Sequence, residues 1–194
     1  MLKRHLPVGF IVPAQPVECV MPPSGADWVH EIKHDGYRMI VRRDGDRVRL
    51  YSRKAIDWTA RLPAIAEAAG RLKAESFTLD GEAVVVGPNG LTDFEVLRRR
   101  GSGDAAVLYA FDLVELDGSD LRRMPLETRK ATLASLLKQP GVIRLSEHIA
   151  AEGRDVFAHA CKLGAEGIVS KRLGSAYNSG LCHAWVKRAA RWNR

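Results

Sequence analysis

Apolar and polar positions alternate over about 28–33, 37–43 and 47–52, the spacing of half-buried strands. Asp44-Gly45-Asp46 separates the last two and predicts a hairpin turn. Leu62, Ile65, Ala66, Ala69 and Leu72 fall near one face of a helix over about 60–73. The run from Phe77 to Val86 reads as a strand interrupted at Asp80-Gly81-Glu82, and Thr92-Asp93 as the cap of a short helix through Arg100. Val107 to Leu116 is a further apolar run, closed by Asp117-Gly118. Pro125 opens a helix carrying Leu126, Leu133, Leu136 and Leu137. A short strand near 142–145, a helix around 152–163 with Val156, Phe157 and Ala160 inward, and strands at about 167–171 and 184–188 complete the series. Pro7, Pro13, Pro16, Pro22, Pro23 and Gly25 predict an extended opening segment in place of a helix. Hairpin strands mixed with separated helices predict an α+β fold with largely antiparallel sheets, not a doubly wound one.

At 194 residues, 46% hydrophobic and 27% charged, the chain is long enough to bury a sizeable core and ordinary for a globular protein. Its formal charge of +7 favours a polyanionic partner. No Asp or Glu follows Glu166, whereas Lys171, Arg172, Lys187, Arg188, Arg191 and Arg194 do. The last of these form either a solvated basic tail or a nucleic-acid contact. Cys19, Cys161 and Cys182 are widely spaced, which argues against a disulfide framework or a zinc site and fits a reducing compartment. No apolar run approaches the roughly 18 residues needed to span a bilayer. The expected location is the cytoplasm.

Candidate chemistry centres on Lys33, within Glu31-Ile32-Lys33-His34-Asp35-Gly36-Tyr37-Arg38. A lysine at the end of a half-buried strand, followed by an Asp-Gly turn and an arginine, suits an amine that attacks phosphorus. Attack needs the neutral amine, whereas an ordinary lysine at pH 7 is almost entirely ammonium. Partial burial and neighbouring cations are the usual means of activating it. On its own the motif also fits a plain strand-edge hairpin. Further clusters follow in order: Ser52-Arg53, Leu79-Asp80-Gly81-Glu82-Ala83, Tyr109-Ala110-Phe111-Asp112, Glu166-Gly167-Ile168-Val169-Ser170-Lys171 and Trp185-Val186-Lys187.

This ordered series resembles the covalent nucleotidyltransferases, and within them the adenylation domain of bacterial ATP-dependent DNA ligases related to end-joining ligases. The resemblance runs from about Phe10 to Lys187. It implies an ATP-grasp-like ligase fold of two packed, largely antiparallel sheets with helices outside and a nucleotide cleft between them. It also implies one nucleotidyltransferase domain over 1–194, with 1–25 as the extended opening segment. Lys33 would attack the α-phosphate of ATP and carry AMP, which then passes to the 5′-phosphate of nicked double-stranded DNA. By the same resemblance Glu31 reads the base, Arg38 contacts ribose or phosphate, and Phe111 stacks on adenine. Core packing is the alternative for Phe111. Lys171 and Lys187 would flank the α-phosphate as catalytic cations. Glu82 and Glu166 would hold Mg²⁺, with a ribose contact also open to Glu82. Arg53 would face nucleic-acid phosphate, or else be a surface strand arginine. Alternation along the strand puts His34 on the face opposite Lys33, as a structural or surface residue.

Three departures from the family pattern stand out. Ala55 replaces the glycine of Ser-Arg-x-Gly, and Ala189 the second lysine of W-x-K-x-K, with Arg188 expected to point the other way. The third concerns the OB-fold barrel that follows in the family. The sequence given stops at Arg194, so the expectation is either a fragment or a short protein, a monomer, that draws the barrel function from a partner. An RNA ligase or GTP-using capping relative is the enzymatic alternative. A non-catalytic nucleic-acid-binding module is the alternative from another class.

Overall fold

The computed structural model describes residues 6–99 and 101–190. Arg100, Arg191 and Arg194, named above, lie outside them. Eleven strands are described: β1 (Ala14–Glu18), β2 (Trp28–Ile32), β3 (Tyr37–Asp44), β4 (Arg47–Ser52), β5 (Ser76–Val84), β6 (Val107–Leu116), β7 (Ser119–Asp120), β8 (Ile143–Leu145), β9 (His148–Ile149), β10 (Gly167–Arg172) and β11 (Gly180–Ala189). Four α-helices accompany them: α1 (Pro63–Gly70), α2 (Phe94–Arg98), α3 (Leu126–Leu136) and α4 (Gly153–Lys162). One sheet runs β1-β11-β10-β2-β9, the other β4-β3-β5-β6-β7 with β8 beside β6. Only β1–β11 and β6–β8 pair in parallel among these strands; the rest are antiparallel, as the hairpin-rich pattern predicts. No described helix is long and apolar enough to cross a membrane.

Local chemistry explains most boundaries. Pro63 occupies the first turn of α1, where its missing N–H costs nothing. A 3-10 turn at Thr59–Arg61 precedes it, so the helix is shorter than its apolar pattern suggests. Asp93 caps α2 by accepting the Val96 N–H at 3.0 Å. The main core packs α1 onto the β3–β6 face through Met39, Leu50, Ile65, Phe77, Leu79 and Leu108, all fully buried. A smaller cluster of Ala14, Val29, Val114, Leu126, Tyr177 and Trp185 joins the two sheets. Val156 and Ala160 of α4 pack with Ile168 on the outer side of the first sheet.

Two local expectations change. The opening segment contains a strand, β1, whose partner β11 lies at the far end of the chain. And β5 runs unbroken through Asp80-Gly81-Glu82, taking up the irregularity as register shifts against β6. Gly81 is needed there, because a Cβ would sit 2.8 Å from the Tyr109 carbonyl oxygen.

Candidate active site

Lys33 sits one residue beyond β2, and its backbone N–H donates to the Gly167 carbonyl at 2.9 Å. Its ammonium forms an ion pair with Glu166, the residue preceding β10. Both side chains are about a quarter exposed, at 24% and 28%. Glycine makes this approach possible. Gly167 has φ 146°, and a Cβ there would lie 2.1 Å from the Arg188 carbonyl oxygen. In the turn after Lys33, a Cβ on Gly36 would lie 2.2 Å from the Ala83 oxygen, so the loop lies close against β5, beside Glu82.

The floor of the site is a buried charge cluster. Glu31, on β2, takes the Lys130 ammonium at 2.7 Å and the Lys171 ammonium at 2.9 Å on one oxygen. Its other oxygen accepts the Ser146 hydroxyl at 3.1 Å. Burial alone would push the Glu31 carboxyl up, but Lys171 and Lys130 together hold it below the usual carboxylate range. Burial pushes Lys171 down to about 8, with Lys130 adding to the shift and Glu31 opposing it. Lys171 rests over two aromatic rings, 4.5 Å from the Phe111 centroid and 4.2 Å from that of Trp185. Trp185 is buried, as a strand-orienting core residue should be.

Arg38 makes a bidentate pair with buried Asp80 at 2.5 and 2.7 Å and donates to the Ala14 carbonyl at 2.9 Å. Its guanidinium also lies 4.5 Å from the Phe111 centroid. Tyr177 donates to Asp80 at 2.5 Å and accepts the Ala14 N–H at 3.0 Å. Beside this set the Glu82 side chain makes no hydrogen bond or ion pair among the described residues. Burial raises its carboxyl to about 8 against the pull of Arg38 and Lys33, with Asp80 and Glu166 pushing the same way as burial. A carboxyl so placed gains from any cation that comes to it.

At the rim, Lys187 pairs with exposed Glu18 at 3.4 Å. Register puts Ala189 on the same face of β11 as Trp185 and Lys187, opposite Gly167. Arg188 points the other way, 5.6 Å from the Phe157 ring of α4. Arg53 and Lys54 are exposed and make no ion pair among the described residues. Ala55 keeps the turn that a glycine would make, with φ 57° and its N–H donating to Ser52 O at 2.8 Å. His34 lines the cleft, contrary to strand alternation. The strand has already ended at Ile32, so alternation no longer governs its direction. Its ring stacks on Tyr109 at 4.1 Å and 11°, and burial lowers its pKa to about 4, with Lys33 also lowering it against Glu31.

These groups surround one cavity of about 640 Å³ between the sheets. Glu31, Lys33, Arg38, Arg53, Glu82, Phe111, Lys171 and Lys187 all line it, and Glu166 reaches it through Lys33. The sequence reading missed Lys130, Asp80, Tyr177 and Ser146. One signal was available: Arg129 and Lys130 lie between Leu126 and Leu133 on the inward stripe of α3, where a solvent-facing cation does not belong.

The lining carries six cationic side chains (Lys33, Arg38, Arg53, Lys54, Lys171, Lys187) against the carboxyl groups of Glu31 and Glu82, a balance that suits a polyphosphate. No group of three or more His, Cys, Asp or Glu among the described residues could hold a metal. Magnesium, however, normally takes one or two carboxylates and completes its shell with phosphate oxygens and water. Glu82 and Glu166 fit that pattern.

Comparison with known proteins identifies the family and the fold. Residues 12–188 match the family described as ATP dependent DNA ligase domain. The chain is 42% identical over 171 residues to the multifunctional non-homologous end joining protein LigD of Pseudomonas aeruginosa, covering 86% of this chain and 20% of that protein. The corresponding LigD of Mycobacterium tuberculosis is 36% identical over 171 residues, covering 88% of this chain and 22% of that one. The chain therefore spans about a fifth of the length of these curated relatives. A solved mycobacterial DNA ligase D complexed with ATP and MES superposes with a TM-score of 0.82 at 32% identity, over 94% of this chain and 61% of that one. From the motif order, the two-sheet fold, the cationic cleft and these matches, the chain belongs to the family of ATP-dependent DNA ligase adenylation domains.

Proposed function

We propose that this chain transfers AMP from ATP to Lys33 and onward to DNA. The observation that carries the reading is the position of Lys33 at a cleft whose other walls are cationic, with Glu166 holding its ammonium. In the first step the Lys33 amine attacks the α-phosphorus and pyrophosphate leaves, so that AMP is joined to the lysine nitrogen. Lys171 and Lys187 stabilise the negative charge that builds on the α-phosphate oxygens, in a setting drier than bulk water. Phe111 offers its ring to the base. Glu31 retains lone-pair capacity for a base amino group beyond its bonds to Lys130, Lys171 and Ser146. Arg38 serves the ribose side while held by Asp80.

Glu82 and Glu166 would hold Mg²⁺, which when bound neutralises phosphate charge. In the second step AMP passes to the 5′-phosphate of a nick, which Arg53 meets at the rim. In the third the 3′-hydroxyl attacks that activated phosphate, the strands join and AMP departs. The substrate is nicked double-stranded DNA.

The deciding experiment is intact-protein mass spectrometry after incubation with Mg²⁺ and ATP, beside a GTP control and Lys33→Ala. The expected result is a gain of one AMP, absent with GTP and lost in the variant. An adduct that persists in Lys33→Ala would remove the nucleophile. No adduct at all, with nucleic-acid binding that salt weakens steeply, would turn the reading to a binding module.

A further inference from the structure

Lys130 reaches the floor of the cleft from behind. It is carried by α3, is 4% exposed and does not line the cavity, yet it donates to Glu31 at 2.7 Å and to the Ser146 carbonyl at 3.0 Å. Lys171 meets the same Glu31 oxygen at 2.9 Å. One buried carboxylate thus faces two ammonium groups, and one of them is in excess. Of the two, Lys171 alone lines the cavity. It leans over Phe111, the ring expected to take the base.

For Lys171 to serve a phosphate it has to leave Glu31. A buried carboxylate stripped of its partner is strongly unfavourable. With Lys130 in place Glu31 keeps a counter-ion, and keeps the Ser146 hydroxyl as well. We propose that Lys130 is a positioning residue: it acts as the standing counter-ion of Glu31, so that Lys171 is free to move onto the phosphate groups of a polyphosphate ligand. This rests on the reading of the cleft as a nucleotide site. Lys171 itself is held short of compensation, pushed down to about 8 by burial and by Lys130, so an incoming anion relieves it.

The probe is inorganic tripolyphosphate, titrated calorimetrically into the full chain at pH 6 and low salt to keep ammonium groups protonated. Lys130→Met preserves length and removes charge, which leaves Lys171 as the sole partner of Glu31. Affinity should fall at least about tenfold. Adding Glu31→Gln to that variant should restore part of the loss, because a buried amide needs no counter-ion. A purely structural lysine would show no such recovery. Should Lys130→Met fail to fold, lysine side-chain NMR of the unaltered chain decides: tripolyphosphate should move the Lys171 signal and leave that of Lys130 in place.

Unchanged affinity in Lys130→Met, no recovery in the double variant, no tripolyphosphate binding by the unaltered chain, or movement of Lys130 in place of Lys171 would each overturn the assignment. Adduct formation with Mg²⁺ and ATP is read on the same samples. Its absence from the unaltered chain, with tripolyphosphate behaving as expected, would overturn AMP transfer and leave the role of Lys130 standing.

Discussion

Lys33 and Glu166 are joined twice: by the ion pair between their side chains, and by the Lys33 N–H that donates to the carbonyl of Gly167, immediately after Glu166. The backbone bond fixes where the strands meet, and the side-chain pair aims the amine. Glu166→Gln keeps the first and loses the second. Because the pair is about a quarter exposed, stability should change by no more than about 1 kcal/mol. Adduct formation should slow by about 100-fold, the scale for removing one aligned charge at a reacting centre. Urea denaturation and the rate of AMP uptake separate the two effects.

Ala55 is held at φ 57°, where an L side chain crowds its own backbone at a cost of about 1–2 kcal/mol. Glycine removes that strain but adds roughly 0.5–1 kcal/mol of unfolded-chain freedom. Ala55→Gly should therefore stabilise the protein by about 0.5–1 kcal/mol, seen as a higher urea midpoint at unchanged slope.

Arg129 and Asp112 form a fully buried bidentate pair at 2.7 and 2.9 Å, and Arg129 also donates to the Met124 and Ser175 carbonyls. Burial raises the Asp112 carboxyl even with Arg129 beside it. Arg129→Met should cost about 3–5 kcal/mol, since it strands that carboxylate. Adding Asp112→Leu should recover most of the loss, though not all, because the two carbonyls stay unpaired.

His34 is expected to control part of the acid stability. Its folded pKa is about 4 against an ordinary 6.5. Between those values the unfolded chain holds a proton that the folded chain refuses, so stability is present above about 6.5 and lost as pH falls toward about 4. The full effect is up to about 3 kcal/mol. His34→Phe keeps the ring on Tyr109 and removes the proton, so the difference in urea midpoint between the two proteins should be constant above about pH 6.5 and shift in favour of the variant as pH falls toward about 4.

Much of this was legible before any coordinates. Alternation and the Asp44-Gly45-Asp46 turn locate β3 and β4 because both signals are local, and the motif spacing gathers Glu31, Lys33, Arg38, Glu82, Phe111, Lys171 and Lys187 around one cleft. What escaped is non-local. The pairing of β1 with β11 leaves no mark in a proline-rich stretch. Asp80 looks like a strand breaker until Arg38 and Tyr177 are seen to satisfy it. Lys130 lies on the inward stripe of α3, but its partner Glu31 is 99 residues away in sequence and cannot be read from that stripe. His34 was misplaced because alternation was extended two residues past the end of β2.

The order of the strands also sets when the chemistry can begin. β2, which delivers Lys33, has β9 and β10 as its sheet neighbours, and β10 leans on β11. Glu166, Lys171 and Lys187 all arrive with those later segments. While the chain is being made from its N-terminus, Lys33 emerges long before the carboxylate and cations that would put it to use. On the proposed reading, a half-made chain presents Lys33 without its partners, and those partners gather around it only when β10 and β11 take their places in the sheet.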